Sequence, residues 1–83
     1  MKILYFAWLR ERMNKGSEDV SPPTDVATID QLIDWKSASD ESFALAFQDR
    51  EIIRASIDDE LVESDAKIEG AREIAFFPPM TGG

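Results

Sequence analysis

Few groups in this sequence can do chemistry. It contains no Cys and no His, which removes thiolate nucleophiles, disulfides, the usual zinc ligands and the side chain suited to proton transfer near neutral pH. Carboxylates, hydroxyls, amines and the chain terminus remain. Asp58-Asp59-Glu60 sets three carboxylates in a row, but without the spacing or the glycine of a calcium loop it reads as a solvated hairpin turn, and no metal site is expected. Glu18-Asp19 sets two together; no apolar pocket is evident to split their pKa values into an acid and a base, so a solvated edge is expected. The last candidate is AFFPPMTGG, Ala75 to Gly83, where an apolar strand runs into two prolines and then two glycines.

That ending is expected to suit insertion into a partner. Pro78 and Pro79 fix two φ angles and favour an extended backbone, so the tail is expected to leave the sheet as a stiff spike, continued by Met80 and Thr81. From Pro78 the chain can reach at most about 20 Å when fully extended, enough to enter a partner's active site. Gly82 and Gly83 carry no Cβ and can pass a channel too narrow for side chains. The reactive group would be the α-carboxylate of Gly83, an anion at neutral pH and a poor electrophile. It needs activation by another protein, most simply as an anhydride made with ATP, after which it can accept an amine, a thiol or sulfide. The alternative is chance, since a terminal glycine pair arises in about one chain in two hundred. The strand, the prolines, the spacer and the glycines together are far more specific.

The elements that must hold this tail can be read from the pattern. Residues 2–9 alternate, Ile3, Tyr5, Ala7 and Leu9 against Lys2, Leu4, Phe6 and Trp8, as a strand with apolar groups on both faces. Asn14-Lys15-Gly16 makes a turn, and Ser17 to Ser21 a short returning strand ahead of Pro22-Pro23. Thr28-Ile29-Asp30-Gln31 has the form of a capping box, with the Thr28 hydroxyl and the Gln31 side chain serving each other's backbone. A helix therefore starts there, with Ile29, Leu32 and Ile33 on its buried stripe, Asp30, Asp34 and Lys36 in water, and a break over Ser37 to Ser42. A further turn is possible at Phe43 to Phe47. Ile52 to Ile57, a turn at Asp58-Asp59-Glu60, the short strand Leu61-Val62, a turn at Gly70 and a last strand Arg72 to Phe77 complete the chain.

Placing the first and last strands side by side, with the helix over Ile3, Tyr5, Leu9, Ile74 and Phe76, accounts for one face of the sheet. Leu4, Phe6, Trp8, Phe77 and Leu61 then fall on the other, where so short a chain has nothing left to cover them. A contiguous aromatic patch usually marks an interface; packing by a loop is the alternative.

The bulk composition agrees with one small folded domain. The 83 residues are 43% hydrophobic, with five Phe and two Trp, too apolar and aromatic for a disordered tail. Seventeen acidic against nine basic residues leave a formal charge of -8, the wrong sign for neutralising phosphates, so no nucleic acid is expected. The charge serves solubility, or steering toward basic partners. The run ILYFAWL meets Arg10-Glu11-Arg12 at once, without a cleavage site and too short to span a bilayer; no membrane is expected, and the cytoplasm is the expected compartment.

On these residues the chain resembles the small subunit of molybdopterin synthase, the ubiquitin-like sulfur-carrier family of molybdenum-cofactor biosynthesis. AFFPPMTGG carries the resemblance most specifically, with KILYFAWLRE at Lys2 to Glu11, TIDQL at Thr28 to Leu32 and ALAFQD at Ala44 to Asp49 following in the same order. The resemblance implies an α+β, β-grasp fold: a mixed sheet with parallel first and last strands and one main helix on one face, over residues 1–77, with an extended tail over 78–83. It implies that Gly83 is adenylated with ATP by a ubiquitin-activating-like enzyme and converted to a thiocarboxylate. The tail of Pro78, Pro79, Met80, Thr81 and Gly82 would then enter the large subunit, where sulfur passes to cyclic pyranopterin monophosphate to build the molybdopterin dithiolene. It further implies a heterotetramer in which two small subunits flank a large-subunit dimer, with Phe6, Arg10, Leu61 and Phe77 as partner contacts, and no cofactor bound by this chain. Asp58 stands where relatives often carry Asn, and GARE at Gly70 to Glu73 is longer than the usual turn.

No catalysis by the chain alone is expected. The rival readings are a sulfur carrier for thiazole or cysteine synthesis, a ubiquitin-like binding module with an inert tail, and a modifier conjugated to lysines.

Overall fold

The computed structural model describes residues 1–79; Met80, Thr81, Gly82 and Gly83, expected above to form the tail and its reactive end, lie outside them. Strand β1 (Lys2–Tyr5) is followed by helix α1 (Trp8–Met13), β2 (Ser17–Asp19), α2 (Ile29–Ser39), α3 (Glu41–Ala46), a 3-10 turn (Arg50–Ile52), β3 (Arg54–Ile57), β4 (Glu60–Val62) and β5 (Glu73–Phe77). The five strands form one sheet in the order β2-β1-β5-β3-β4. Its central pair, β1 and β5, is parallel, with Ile3 beside Ile74 and Tyr5 beside Phe76; the apolar pattern on both faces of these strands suits their place in the middle of the sheet.

The expected first strand is corrected in length: it ends at Tyr5 rather than Leu9. Phe6 N–H still donates to the Phe76 carbonyl (3.1 Å), but Leu9 N–H then donates to the Phe6 carbonyl (3.1 Å) and closes a turn. Trp8 therefore starts α1 instead of continuing the strand. The physical reason is the spacing of Leu9 and Met13, both buried and four residues apart, which places them on one helical stripe with Arg10, Glu11 and Arg12 outward.

Helix α2 starts where the capping box predicts. Thr28 is the N-cap, its hydroxyl accepting from Gln31 N–H at 3.2 Å, while the Gln31 side chain accepts from Ala27 N–H at 2.7 Å. Two further amide groups of the first turn are satisfied from outside: Ile29 N–H by Ala66 O and Asp30 N–H by Ser64 O, at 3.1 and 2.9 Å. The helix passes the expected break and ends at Ser39, because Asp40 caps the next helix rather than breaking the chain, its carboxylate accepting from Phe43 N–H at 3.2 Å. The possible turn at Phe43 is thus a full element, α3.

These helices cover one face of the sheet. Tyr5, Phe43, Phe47 and Phe76 are all at most 2% exposed; Phe43 and Phe47 stack at 3.9 Å, and Phe76 meets Phe47 edge-on at 5.0 Å, a geometry favoured by the ring quadrupoles. Ile3, Leu9, Ile29, Leu32, Ile33 and Ile74 complete the same core.

The β3–β4 turn shows why Asp58 can replace Asn. Asp58 and Asp59 both have positive φ, 47 and 72, the two-residue hairpin loop in which Asn, Asp and Gly are favoured. The Asp58 carboxylate also accepts from Glu73 N–H (2.9 Å) and Arg72 N–H (3.1 Å), and so ties the turn to the start of β5. The triple-carboxylate segment is a hairpin turn, as expected, with one carboxylate in a structural role. Gly70, with φ 78, supplies the turn expected before the last strand.

Candidate functional site

β5 alternates faces. Ile74 and Phe76 go into the core, whereas Phe77, at the C-terminal end of the strand, is half-buried on the opposite face and leads directly into Pro78 and Pro79. Beside it, just past the end of β1, the turn at Ala7 lifts Phe6 out of the sheet and leaves it 48% exposed. The strand and the turn thus bring Phe6 and Phe77 together at the point where the tail begins. With Ala7, Trp8, Ile52, Pro78 and Pro79 they line a shallow, mostly apolar groove of about 590 Å³.

Leu61, on β4, is the most exposed large apolar side chain among the described residues, at 66%. It does not join the groove. Its cross-strand neighbour is Ser56, which in turn lies beside Ala75 on β5, so Leu61 shares the open sheet face with Phe77 at a separation of about 12 Å by strand spacing and rise. Leu4, Ala75 and Ser56 fill the row between β2 and Leu61. Arg10 is exposed on α1 and leans over Gly16, its guanidinium carbon 3.4 Å from where a Cβ there would lie.

Of the residues expected to meet a partner, the structure therefore gathers Phe6, Phe77, Pro78 and Pro79 at the base of the tail, and sets Leu61 and Arg10 apart from them. Trp8, expected on the same strand face as Phe6, instead opens α1, half-buried against the core, with the Arg12 guanidinium 5.4 Å from its ring. Ile52 was missed. It was expected inside a strand, whereas it sits in the 3-10 turn ahead of β3, 42% exposed, on the rim of the groove. An apolar residue left outside the register of β3 is the only signal that could have marked it.

Two expectations about charge are corrected by packing. Glu18 does not sit at a solvated edge, and Lys36 does not face water. Glu18 accepts from the Tyr5 hydroxyl at 2.6 Å and from Lys36 Nζ at 3.0 Å, and Lys36 also reaches Asp40 at 3.1 Å. Lys36 is 9% exposed, the only buried charged residue among those described. Burial raises the Tyr5 phenol strongly, and the hydrogen bond to Glu18 and its charge raise it further. Burial alone would push the Glu18 carboxyl up, but hydrogen bonds from Tyr5 and Lys36 outweigh it and hold it low. Lys36 is disfavoured by burial and then raised overall by its two carboxylates. This cluster fastens β1, β2 and α2 together beneath the core; it does not face the tail.

Among the described residues, those lining the tail base are all apolar. What these residues form is an apolar surface around the point where β5 runs into Pro78 and Pro79. With β1 and β5 parallel at the centre and the helices on one face, the chain is a β-grasp domain of the ubiquitin-like kind. The crystal structure of SAMP1 from Haloferax volcanii has the same fold, with a TM-score of 0.72 and 22% identity over 99% of this chain and 97% of that one. The sequence comparison is more specific: the model of the ThiS family matches residues 3–83, and the chain belongs to that family. It is 34% identical to the molybdopterin synthase sulfur carrier subunit of Escherichia coli, over 100% of this chain and 99% of that protein. It is 30% identical to the subunit of the same name from Haemophilus influenzae, again over 100% and 99%, and 34% identical to that of Mycosarcoma maydis, over 100% of this chain and 92% of the relative. No helix among the described residues is long and apolar enough to cross a membrane.

Proposed function

We propose that this protein is the sulfur-carrier small subunit of molybdopterin synthase, working in the cytoplasm. The observation that carries the proposal is the end-to-end match, at 34% identity over 83 residues, to a relative bearing that name. The apolar groove at the base of the tail supports it, since a carrier needs a docking surface beside the segment it inserts.

The chemistry is carried by the backbone. A carboxylate oxygen of Gly83 attacks the α-phosphorus of ATP within an adenylating enzyme, pyrophosphate leaves, and the acyl carbon becomes electrophilic. Sulfide released by the sulfur source then attacks the acyl carbon, AMP leaves, and the terminus becomes a thiocarboxylate. Phe6, Phe77 and Leu61 dock on the large subunit, with Arg10 at the edge, while Pro78, Pro79, Met80, Thr81 and Gly82 carry the sulfur to cyclic pyranopterin monophosphate. Two small subunits on a large-subunit dimer make the working heterotetramer. No cofactor is held by this chain, whose contribution is to bind, present and be reloaded.

The test is mass spectrometry of the full chain after incubation with its adenylating enzyme, ATP and a sulfur source. Replacement of one oxygen by sulfur, mapped to Gly83, is the expected result; an unchanged mass refutes the carrier reading. A sulfur carrier of thiazole or cysteine synthesis gives the same mass, and is separated by which large protein co-purifies with the chain.

A further inference from the structure

Four of the nine cations have structural work. Lys15 and Lys36 hold Glu18, and Arg50 bridges Asp30 and Asp34 at 2.9 and 2.8 Å. Arg12 lies over Trp8. Arg54 does none of this: it is exposed, and among the described residues it forms no ion pair and no side-chain hydrogen bond. Its position is specific. Arg54 is the first residue of β3 and the direct cross-strand neighbour of Phe77, so the two side chains share the open face with Cβ atoms about 5 Å apart.

We infer that Arg54 is a recognition residue, and that the partner surface covering Phe6 and Phe77 presents a carboxylate to its guanidinium. The inference rests on the sulfur-carrier reading, for which the partner is the large synthase subunit. Any surface that buries Phe77 also takes water from its neighbour, and a guanidinium losing water without an acceptor is unfavourable. A carboxylate matches its fork bidentately and adds a fixed register to an otherwise slippery apolar contact. Arg10, leaning on Gly16 beside β2, stands on the opposite flank, three strand spacings or about 14 Å across the sheet. Arg54 is thus the cation directly beside Phe77 in a chain whose formal charge is -8.

That overall charge makes the sign of the effect decisive. If the large subunit recognises this protein through its net acidity, making it more acidic strengthens binding. If Arg54 meets a carboxylate, the same change weakens it. The experiment is titration of the full-length chain into the large subunit of the same organism at two salt concentrations, with Arg54→Glu, Arg54→Ala and Arg54→Lys, each checked for unchanged melting temperature. Lys67→Glu is the control, an exposed cation beside Thr28 with the same change of charge as Arg54→Glu. Arg54→Glu should weaken binding more than about tenfold, Arg54→Ala by about three- to tenfold, and Arg54→Lys least, with a shallower salt dependence for Arg54→Ala than for wild type. Lys67→Glu should bind as wild type or better. Equal or tighter binding by Arg54→Glu overturns the inference and leaves the carrier reading standing; failure of the wild-type chain to bind at all removes both.

Discussion

Ala7 holds the least comfortable backbone in the described chain, and replacing it with glycine should make the protein more stable. Its φ of 53 and ψ of -133 lie in a region closed to residues with a Cβ and open to Gly. Together with the bond from Leu9 N–H to the Phe6 carbonyl at 3.1 Å, they define a type II′ turn with Ala7 at the first central position, which Gly normally takes. Strain of this kind costs about 1–3 kcal/mol. Glycine would relieve it while losing about 0.5–1 kcal/mol more in backbone entropy on folding. Ala7 is exposed, so little packing is lost, and the balance favours Ala7→Gly by about 1 kcal/mol. In a domain of this size that corresponds to a rise in Tm of about 4–8 °C. Thermal melting followed by circular dichroism, with urea unfolding to check that the m-value is unchanged, measures it directly. Ala7→Val is the matched opposite, because a β-branched side chain worsens the same conflict. A melting temperature for Ala7→Gly at or below that of wild type would refute the turn assignment and the strain argument with it.

The buried charge cluster makes a second prediction. Lys36→Met should cost about 2 kcal/mol, less than a fully buried pair because Asp40 keeps some solvent, since it leaves Glu18 and Asp40 without their shared cation; chemical denaturation measures it. Stability should also be pH-dependent in a definite sense. Glu18 is held below its ordinary 4.5 and Asp40 below 3.8, so their contribution is present above those values and lost as pH falls through them. Tyr5 and Lys36 are raised above their ordinary 10.0 and 10.5, so theirs is present below and lost as pH climbs past. Urea midpoints across pH should show a plateau falling at both ends, with the alkaline limb reduced in Tyr5→Phe. At the β3–β4 turn, Asp58→Asn should stay within about 0.5 kcal/mol of wild type, whereas Asp58→Ala should lose about 1.5–2 kcal/mol by forfeiting two acceptor contacts at a positive φ.

Local pattern alone determined much of this protein. Thr28 and Gln31 mark a helix start because capping is a contact between near neighbours, and the alternation along β5 marks its two faces because a strand has a period of two. The apolar residues on both sides of β1 and β5 place those strands at the centre of the sheet, and the run from Phe77 into Pro78 and Pro79 marks the segment on which the proposed carrier role rests. Only the tertiary structure decided the rest. Residues 6–9 fit a strand and a helix start equally well in sequence, and the choice fell to the core, which takes Leu9 and Met13 from one helical stripe. Glu18 and Lys36 read as surface charges until folding brings them together with Tyr5 and Asp40. Ile52 and Arg54 have no local motif at all; their places on the rim of the groove and beside Phe77 follow from the antiparallel pairing of β3 with β5. Contacts across a sheet join residues far apart in the chain, and a one-dimensional pattern carries no record of which strand will lie next to which.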